Sequence, residues 1–598
     1  LSRWWRPRSV RRAPFHPCPP VPTTTPHTPQ CVCMSMCVCV CVCVCVCWCP
    51  GPYHNPSETY AYHSLPFCPP TSPEGEDLSD TLEGLRLHRT GYVIGFRVPV
   101  VQQELCTKTL SAREMGLFRD AIHREFEFLM ELDNLPLRGF IGLSSRATGK
   151  EPREFLFTHL HFDIGYNGQQ IVEANVTADL SRVLDVSVPK DETTVKFSYS
   201  VEWRASSLTY ADRITRMQHL ANADELEIQW FSILNSFVVV LVMTGFLVFL
   251  LRRVLHQDYT RFESDLEDVG AEDKLEVGWK KLSGDVFRFP QHRQILSVLL
   301  GEGIHMLVLC VSLICLAVMG AFYEVTRGVL VVSFVVLYAL TAGVGGYVSS
   351  SLHKQLSDGL TTNWVRTCLL SFGVFTIPVF VIWFLLNTIA VSYGSTAALP
   401  FRSILSLFFV ITLLALPLTL LGSIHGKRSD GKFQKPCRTN KRVLPIPPKA
   451  WWMERSVQMV IAGLLPFAAI YVELYYLYIS VWSHHMYTPY VVVFLTFSLL
   501  LVVVSCVGVT MTYFQLTQDD YEWWWSSFLN GGSCAIFAFL YGVVFFHFES
   551  QMSGFLQWSF FFGYNLLLCF ACFLMLGAVG FFSSLFFLRR IFKSAKSE

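Results

Sequence analysis

The sequence predicts a membrane α-helical bundle with nine transmembrane helices, preceded by a mostly β, sandwich-like domain. Apolar residues make up 52% of the 598-residue chain, and the mean hydropathy is +0.39. Charged residues make up 16%, whereas roughly a quarter is usual in soluble proteins. The long apolar runs fall within residues 229–588, and a helix needs about 20 apolar residues to cross a bilayer.

Composition divides the chain into four parts. We interpret residues 1–50 as a low-complexity translation artefact that stands where a signal peptide is expected, because a dinucleotide repeat encodes the alternation of Cys and Val. The alternative interpretation is a metal-binding tract. Residues 51–228 have the composition of a soluble domain, residues 229–588 hold the spans, and residues 589–598 form a tail. The net charge of +1 argues against a nucleic-acid partner.

Charge asymmetry between the loops predicts the orientation of the spans. With residues 51–228 outside the cytosol, the inner loops and tail hold 23 Lys and Arg residues and the outer loops hold two. The positive-inside rule therefore predicts a lumenal N-terminal domain and a cytosolic C-terminus. We expect the cluster Trp523–Trp525 to anchor at the membrane interface. The apolar windows are 229–251, 299–320, 329–351, 367–391, 403–424, 456–480, 489–513, 526–547 and 558–588.

The segment before the spans alternates apolar and polar residues, as strands do. Asn167-Gly168 predicts a type I′ hairpin turn. Ser111 and Glu114 predict a capping box at the start of one inserted helix. We therefore predict a mostly antiparallel β-sandwich with one helix. The alternating apolar residues are Val195, Phe197, Tyr199, Val201 and Trp203 in one strand and Leu160, Phe162 and Ile164 in another.

Three features of this domain concern modification or metal binding. Asn175-Val-Thr177 is an N-glycosylation sequon. Cys68 and Cys106 are the only cysteines of residues 51–228, and we hypothesise that they form a disulfide in an oxidising lumen. His159 and His161 share one face of a strand, but no third metal ligand is visible. We favour a structural role for both histidines and predict no metal, no cofactor and no catalytic residues.

Five polar side chains fall within the spans, where a charge costs at least about 2.5–3.5 kcal/mol. Glu302 and His305 lie on one helical face. One interpretation is that they share a proton or an ion. The other is that they are solvated near the cytosolic end of the span. Glu473, Asn387 and Asn565 lie in other spans. Hydrogen bonds between helices explain all five side chains. The alternative is a polar route for an ion or a small solute, as in a transporter or channel.

Ordered motifs over residues 51–598 resemble one family, the nonaspanins or transmembrane-9 superfamily. The first is Gly-Pro-Tyr-His-Asn-Pro-Ser-Glu-Thr-Tyr at 51–60. The remaining motifs lie at 64–68, 133–142, 230–236, 278–288, 386–390, 463–467, 552–555 and 561–564.

The resemblance implies a non-enzymatic protein of Golgi and endosomal membranes. It implies a role in sorting, localisation and surface delivery of other membrane proteins, especially cargo with glycine-rich transmembrane segments. Members of the family also resemble one another in a C-terminal Lys-x-Asp/Glu signal that the coatomer coat binds. Lys596-Ser-Glu598 matches that signal in this chain.

Overall fold

A computed structural model gives the fold of the chain from Cys43 onward. The predictions for residues 1–42 lie outside the described part, as does Glu598. The described residues are 43–44, 47–69, 88–133, 135–145, 153–188, 192–213, 216, 226–268, 278–319, 327–357, 363–429, 431–437, 439, 444–482 and 490–597.

The described residues before the bundle form a sheet-rich domain, called the sheet domain below. Its strands pair in the orders β3-β2-β6-β7, β12-β9-β8, β11-β10-β13-β5 and β1-β4. The sequence-based expectation of a domain rich in β-sheet is confirmed. The strands are β1 (Cys43–Val44), β2 (Cys47–Pro52), β3 (His88–Arg89), β4 (Ile94–Gly95), β5 (Val100–Leu110), β6 (Phe126–Leu132), β7 (Leu135–Phe140), β8 (Gly142–Ser145), β9 (Arg153–Phe157), β10 (His159–Asn167), β11 (Gln170–Ala178), β12 (Val183–Asp185) and β13 (Thr193–Ala205).

Most of the described strand pairs are antiparallel, and β10 with β13 is the parallel exception. The strand β2 begins at Cys47, so residues 47–50 pair with β6 although the sequence analysis set them aside. On β13, Val195, Phe197, Tyr199 and Val201 are at most 6% exposed and pack in the core. The predicted apolar face of this strand is therefore the buried one, since alternate side chains point to opposite faces of a sheet.

Local signals place one helix and one turn in the sheet domain. Helix α1 spans Ala112–His123, and its capping box joins Ser111 and Glu114 as predicted. The β10–β11 hairpin also forms, but its two loop residues are Gly168 and Gln169. Only Gly168 has a positive φ, +62°, so the predicted type I′ turn at Asn167-Gly168 is wrong.

Nine helices of the described part are long and apolar enough to cross a membrane, which confirms the predicted bundle. Two of them contain a π-helical turn, at Ile411–Ala415 and at Phe545–Glu549. The first turn ends two residues before Pro417, whose ring would clash with a regular helical backbone. The helices are α2 (Leu226–Asp268), α3 (Arg293–Val318), α4 (Arg327–Leu356), α5 (Trp364–Tyr393), α6 (Phe401–Arg428), α7 (Arg455–Trp482), α8 (Tyr490–Thr517), α9 (Trp523–Glu549) and α10 (Phe555–Ser597).

Glycines allow two helix pairs to approach closely. Between α4 and α6, a Cβ on Gly422 would overlap the carbonyl of Gly343. Between α9 and α10, a Cβ on Gly580 would lie 2.9 Å from the Cα of Gly531. At both contacts the backbones of the two helices pack directly against each other.

The two ends of the bundle differ in what they contact. At one end, the tail end, α10 ends and Arg293 Nη1 donates to Leu356 O at 3.2 Å. At the other end, the junction end, the sheet domain contacts the loops before α6 and α10. Trp523 and Trp524 lie at the tail end but are at most 2% exposed, and Trp523 Nε1 donates to Val286 O at 2.9 Å. The expectation that they anchor at the interface is wrong for Trp523 and Trp524, because they pack inside the protein, whereas Trp525 is half-buried.

Candidate functional site

Glu302 and His305 form a buried pair in the bundle. Both lie on α3, and Glu302 Oε1 is 3.1 Å from His305 Nδ1. Their exposed fractions are 3% and 1%, which excludes the solvated alternative. Glu302 lies nine residues into this helix, about 14 Å along its axis. The pair therefore sits well inside the bundle, where each side chain needs a polar partner.

Helix α4 supplies the further partners of the pair. His305 Nε2 lies 3.1 Å from Thr341 Oγ1 and 3.2 Å from Tyr338 O. The Tyr338 ring lies against the imidazole with centroids 4.8 Å apart, and its hydroxyl lies 2.9 Å from Thr376 Oγ1 on α5. The site therefore spans three helices. Tyr338, Thr341 and Thr376 were not predicted as part of this site, because tyrosine and threonine do not interrupt an apolar window.

Asn565 forms a second buried polar contact, on α10. Tyr478 on α7 donates its hydroxyl to Asn565 Oδ1 at 2.6 Å, and Cys569 Sγ lies 3.6 Å from the same oxygen. Asn565 is 3% exposed. This contact joins two helices, which is the role that hydrogen bonding between helices predicts.

The structure keeps the other two intramembrane candidates apart from the pair. Asn387 lies on α5, and its Oδ1 accepts from Leu399 N at 2.7 Å, so it fixes the loop before α6. Glu473 is half-buried on α7, which packs on α2, α8 and α9. Glu302 and His305 lie on α3, so the five candidates do not converge on one site.

The first family-like motif lies at the junction between the sheet domain and the bundle. Asn55 is 4% exposed and exchanges two hydrogen bonds with Ser553, through its Nδ2 at 2.8 Å and its Oδ1 at 3.0 Å. Ser57 N donates to Gln557 Oε1 at 3.1 Å. Thr59 O accepts from Thr396 N at 2.9 Å. One segment therefore contacts both α10 and the loop before α6, at positions that sequence spacing does not reveal.

Glu58 fastens the same segment to the sheet domain. Its carboxylate accepts from Asn55 Nδ2 at 2.9 Å, from Tyr60 Oη at 2.6 Å and from Arg124 Nη2. Burial and the nearby Glu58 raise the pKa of Tyr60 to about 12, so its hydroxyl remains a donor. Arg124 caps α1. The segment thereby links the helix of the sheet domain to the bundle.

The modification candidates lie in the sheet domain. Asn175 and Thr177 are exposed on β11, opposite Asp163 and His161 of β10. Cys68 and Cys106 form a disulfide with Cα atoms 6.0 Å apart. The exposed side chain of Asn175 is accessible for attachment of an oligosaccharide.

His159 and His161 bond to serines of the neighbouring strand. His159 Nδ1 lies 2.8 Å from Ser198 Oγ, and Ser200 Oγ lies 2.9 Å from both His159 Nε2 and His161 Nδ1. Burial and nearby Arg182 lower the pKa of His159. Serine hydroxyls therefore lie within hydrogen-bond distance of three of the four ring nitrogens, which agrees with a structural role for the two histidines.

The first residue of the candidate sorting signal, Lys596, lies on the last helix. Helix α10 runs unbroken from Phe555 to Ser597 and therefore includes Lys596. Its companion Glu598 lies outside the described residues. The helix starts next to the sheet domain and ends at the opposite end of the bundle.

Comparison with known proteins decides the family. The model of the family described as endomembrane protein 70 matches residues 59–555. The chain belongs to this family. It is 42% identical over 554 residues to transmembrane 9 superfamily member 4 of Arabidopsis thaliana, which covers 92% of each chain. It is 39% identical over 567 residues to transmembrane 9 superfamily member 1 of Bos taurus, again covering 92% of each chain.

A further relative in the family carries a functional name. The chain is 36% identical over 550 residues to a protein of Dictyostelium discoideum called putative phagocytic receptor 1b, covering 92% of this chain and 93% of that one. The resemblance to the nonaspanins is thus confirmed, and the chain is a multi-pass membrane protein of the endomembrane protein 70 family.

Proposed function

We propose that the protein assists the sorting, localisation and surface delivery of other membrane proteins from Golgi and endosomal membranes, without enzymatic activity. The observation that carries this proposal is the continuous helix α10, which joins the junction with the sheet domain to the tail. A protein of this shape can contact cargo within the membrane and a coat at the tail. Family membership supports the proposal.

The tail motif is the second part of the proposal. Lys596 and Glu598 would bind the coatomer coat, which requires a cytosolic tail. The excess of Lys and Arg in the loops at the tail end supports that orientation. A basic residue near an acidic residue and a terminal carboxylate gives a coat protein a small charge pattern to bind.

The name of the Dictyostelium relative fits this proposal. A receptor for particles acts at the cell surface, and surface delivery of membrane proteins determines which receptors are present there. The cargo would be proteins with glycine-rich transmembrane segments, which pack closely against other helices.

Relocation of tail variants tests the coat signal. Lys596→Ala combined with Glu598→Ala should move the full-length protein out of the Golgi. Lys593→Ala changes a nearby exposed basic residue of α10 and serves as the matched control. Golgi residence of the double variant equal to that of the control would contradict the coat signal.

Transport of an ion or a small solute is the second candidate function. The buried pair Glu302 and His305 is the observation that favours it. A flux assay in proteoliposomes separates the two functions, because a sorting protein produces no flux while a transporter produces flux that Glu302→Gln abolishes.

A further inference from the structure

A row of buried polar side chains leads from the tail end of the bundle to the pair Glu302–His305. Gln294 Nε2 donates to Thr367 Oγ1 at 3.2 Å, and Ser349 Oγ lies 2.9 Å from Ser371 Oγ. Ser349 also lies against α3, because a Cβ on Gly301 would overlap its hydroxyl. We call Gln294, Ser297, Ser349, Thr367 and Ser371 the hydroxyl row. Its Ser and Thr members are at most 1% exposed.

The α4 side of this row is one continuous stripe. Tyr338, Thr341, Gly345, Ser349 and His353 follow at intervals of three and four residues, so they share one face of the helix. A Cβ on Gly345 would lie 3.3 Å from Glu302 Oε2, which places the carboxylate directly on the stripe. The stripe therefore connects the pair to the last turn of α4.

His353 ends the stripe in the last turn of α4. It is 8% exposed, and its Nδ1 has no hydrogen-bond partner among the described residues. Ser350, in the same turn, is 4% exposed, and its Oγ likewise has no hydrogen-bond partner among the described residues. Buried polar atoms are nearly always bonded to protein or to ordered water. Water at this turn would join the hydroxyl row to the aqueous phase at the tail end.

Beyond the pair, toward the junction end, the face of α3 that carries Glu302 and His305 becomes apolar. Met306 and Leu309 continue the same face of α3 toward the junction end and are at most 4% exposed. On α5, the Phe375 ring covers Tyr338 with centroids 5.8 Å apart. The polar route therefore reaches the pair from the tail end and stops there.

We propose that Glu302 and His305 form a proton-binding site that exchanges protons with the aqueous phase at the tail end. One proton on the pair leaves it with no net charge, as a carboxylic acid that donates to His305 Nδ1 while His305 Nε2 donates to Tyr338 O. Zero net charge avoids the cost of an isolated charge in the bundle. Because the two groups are coupled, the proton belongs to the pair.

Among the described residues, the helices packed on α3, namely α4, α5, α8 and α10, provide no charged side chain at this depth. Tyr338 of α4 is the titratable group that faces the pair. Helix α10 brings Cys572 near Cys310, further along α3. Helix α8 has no charged residue or histidine in its sequence. The charged residues and histidine of α4, α5 and α10 lie near the helix ends: Arg327, His353, Lys354, Arg366, Arg589, Arg590, Lys593 and Lys596.

Infrared spectroscopy of the full-length protein in lipid nanodiscs tests the proton site. Acidification should produce the C=O band of a protonated carboxylic acid, and D₂O should shift that band. Glu302→Gln should remove the band, whereas Glu473→Gln, the matched control on α7, should retain it. A spectrum of Glu302→Gln with the same band as the unchanged protein would overturn the proposal.

A second variant tests the route and leaves the pair intact. Thr367→Val removes one hydroxyl of the row without changing the size of the side chain. It should slow deuteration of the Glu302 band about tenfold, which corresponds to about 1.4 kcal/mol in the barrier. Thr412→Val on α6, whose hydroxyl bonds to Phe408 O of its own helix, is the control and should have no effect. Equal deuteration rates in both variants would contradict access through the hydroxyl row.

Discussion

The side chain of Asn55 exchanges two hydrogen bonds with the backbone of Ser553, 498 residues later in the chain. Asn55 belongs to the segment that Glu58 holds on the sheet domain, and Ser553 lies two residues before α10. These bonds fix the start of α10, the helix that ends in the tail. The geometry gives the sheet domain a mechanical connection to that helix.

Asn55→Ala should loosen this junction. The change removes both bonds to Ser553, at a cost of about 1–2 kcal/mol. Hydrogen exchange of the full-length protein should then accelerate at residues 551–557. Asn167→Ala removes an exposed asparagine with a bond to Leu208 O and serves as the control. Equal protection of residues 551–557 in both variants would show that the bonds do not hold the junction.

Gly422→Ala should destabilise the bundle. The added Cβ would overlap the carbonyl of Gly343, so α4 and α6 must separate, at a cost of about 1–3 kcal/mol. Thermal unfolding in detergent measures the change as a lower Tm. The control is Gly245→Ala on α2, where a Cβ meets no heavy atom within 4 Å. The close packing of α4 on α6 is refuted if both variants unfold at the same temperature.

Glu127 should make the sheet domain more stable in mild acid. Burial raises its pKa from 4.5 to about 7, although Arg138 acts in the opposite direction. The folded state therefore binds more protons than the unfolded state between these values, and stability falls as pH rises through this window. Between about pH 5.5 and about pH 7.5 the loss is about 2 kcal/mol.

Hydrogen exchange of β6 and β7, corrected for the intrinsic rate, measures this pH dependence. Glu127→Gln should abolish it and increase protection at the higher pH. Glu202→Gln changes a carboxyl that is 73% exposed and should leave the dependence in place. A pH dependence that persists in Glu127→Gln would assign it to another group.

Asn175 should carry an N-linked oligosaccharide if the sheet domain is lumenal. The side chain is exposed on β11, so the sequon is accessible once the strand has formed. Digestion with an endoglycosidase should reduce the apparent mass of the protein, and Asn175→Gln should remove the difference. A cytosolic sheet domain would give the same mass before and after digestion in both proteins.

The sequence predicts local features of this fold well and distant contacts poorly. The length of an apolar run predicts each span because the thickness of the bilayer fixes how many apolar residues a spanning helix needs. The capping box of Ser111 needs only residues three apart. The pairing of Asn55 with Ser553 joins segments 498 residues apart, and no local pattern encodes it. Trp523 shows the same limit, since a partner loop decides whether a tryptophan at a helix end is buried.

The intramembrane site was predicted in part. Helical spacing places Glu302 and His305 on one face, and they do form a pair. Thr341 and Tyr338 were missed because they carry no charge and leave the span apolar. Their spacing of three residues on α4 was the available signal. Which helix faces α3 depends on the packing of the whole bundle.

The surface proteome of cells that lack this protein tests the proposed sorting role most directly. Deletion should lower the surface level of a set of membrane proteins, and the unchanged gene should restore it. Rescue with Lys596→Ala and Glu598→Ala combined should be incomplete, because the mislocalised protein meets less cargo. A surface proteome that is identical with and without the protein would contradict the account.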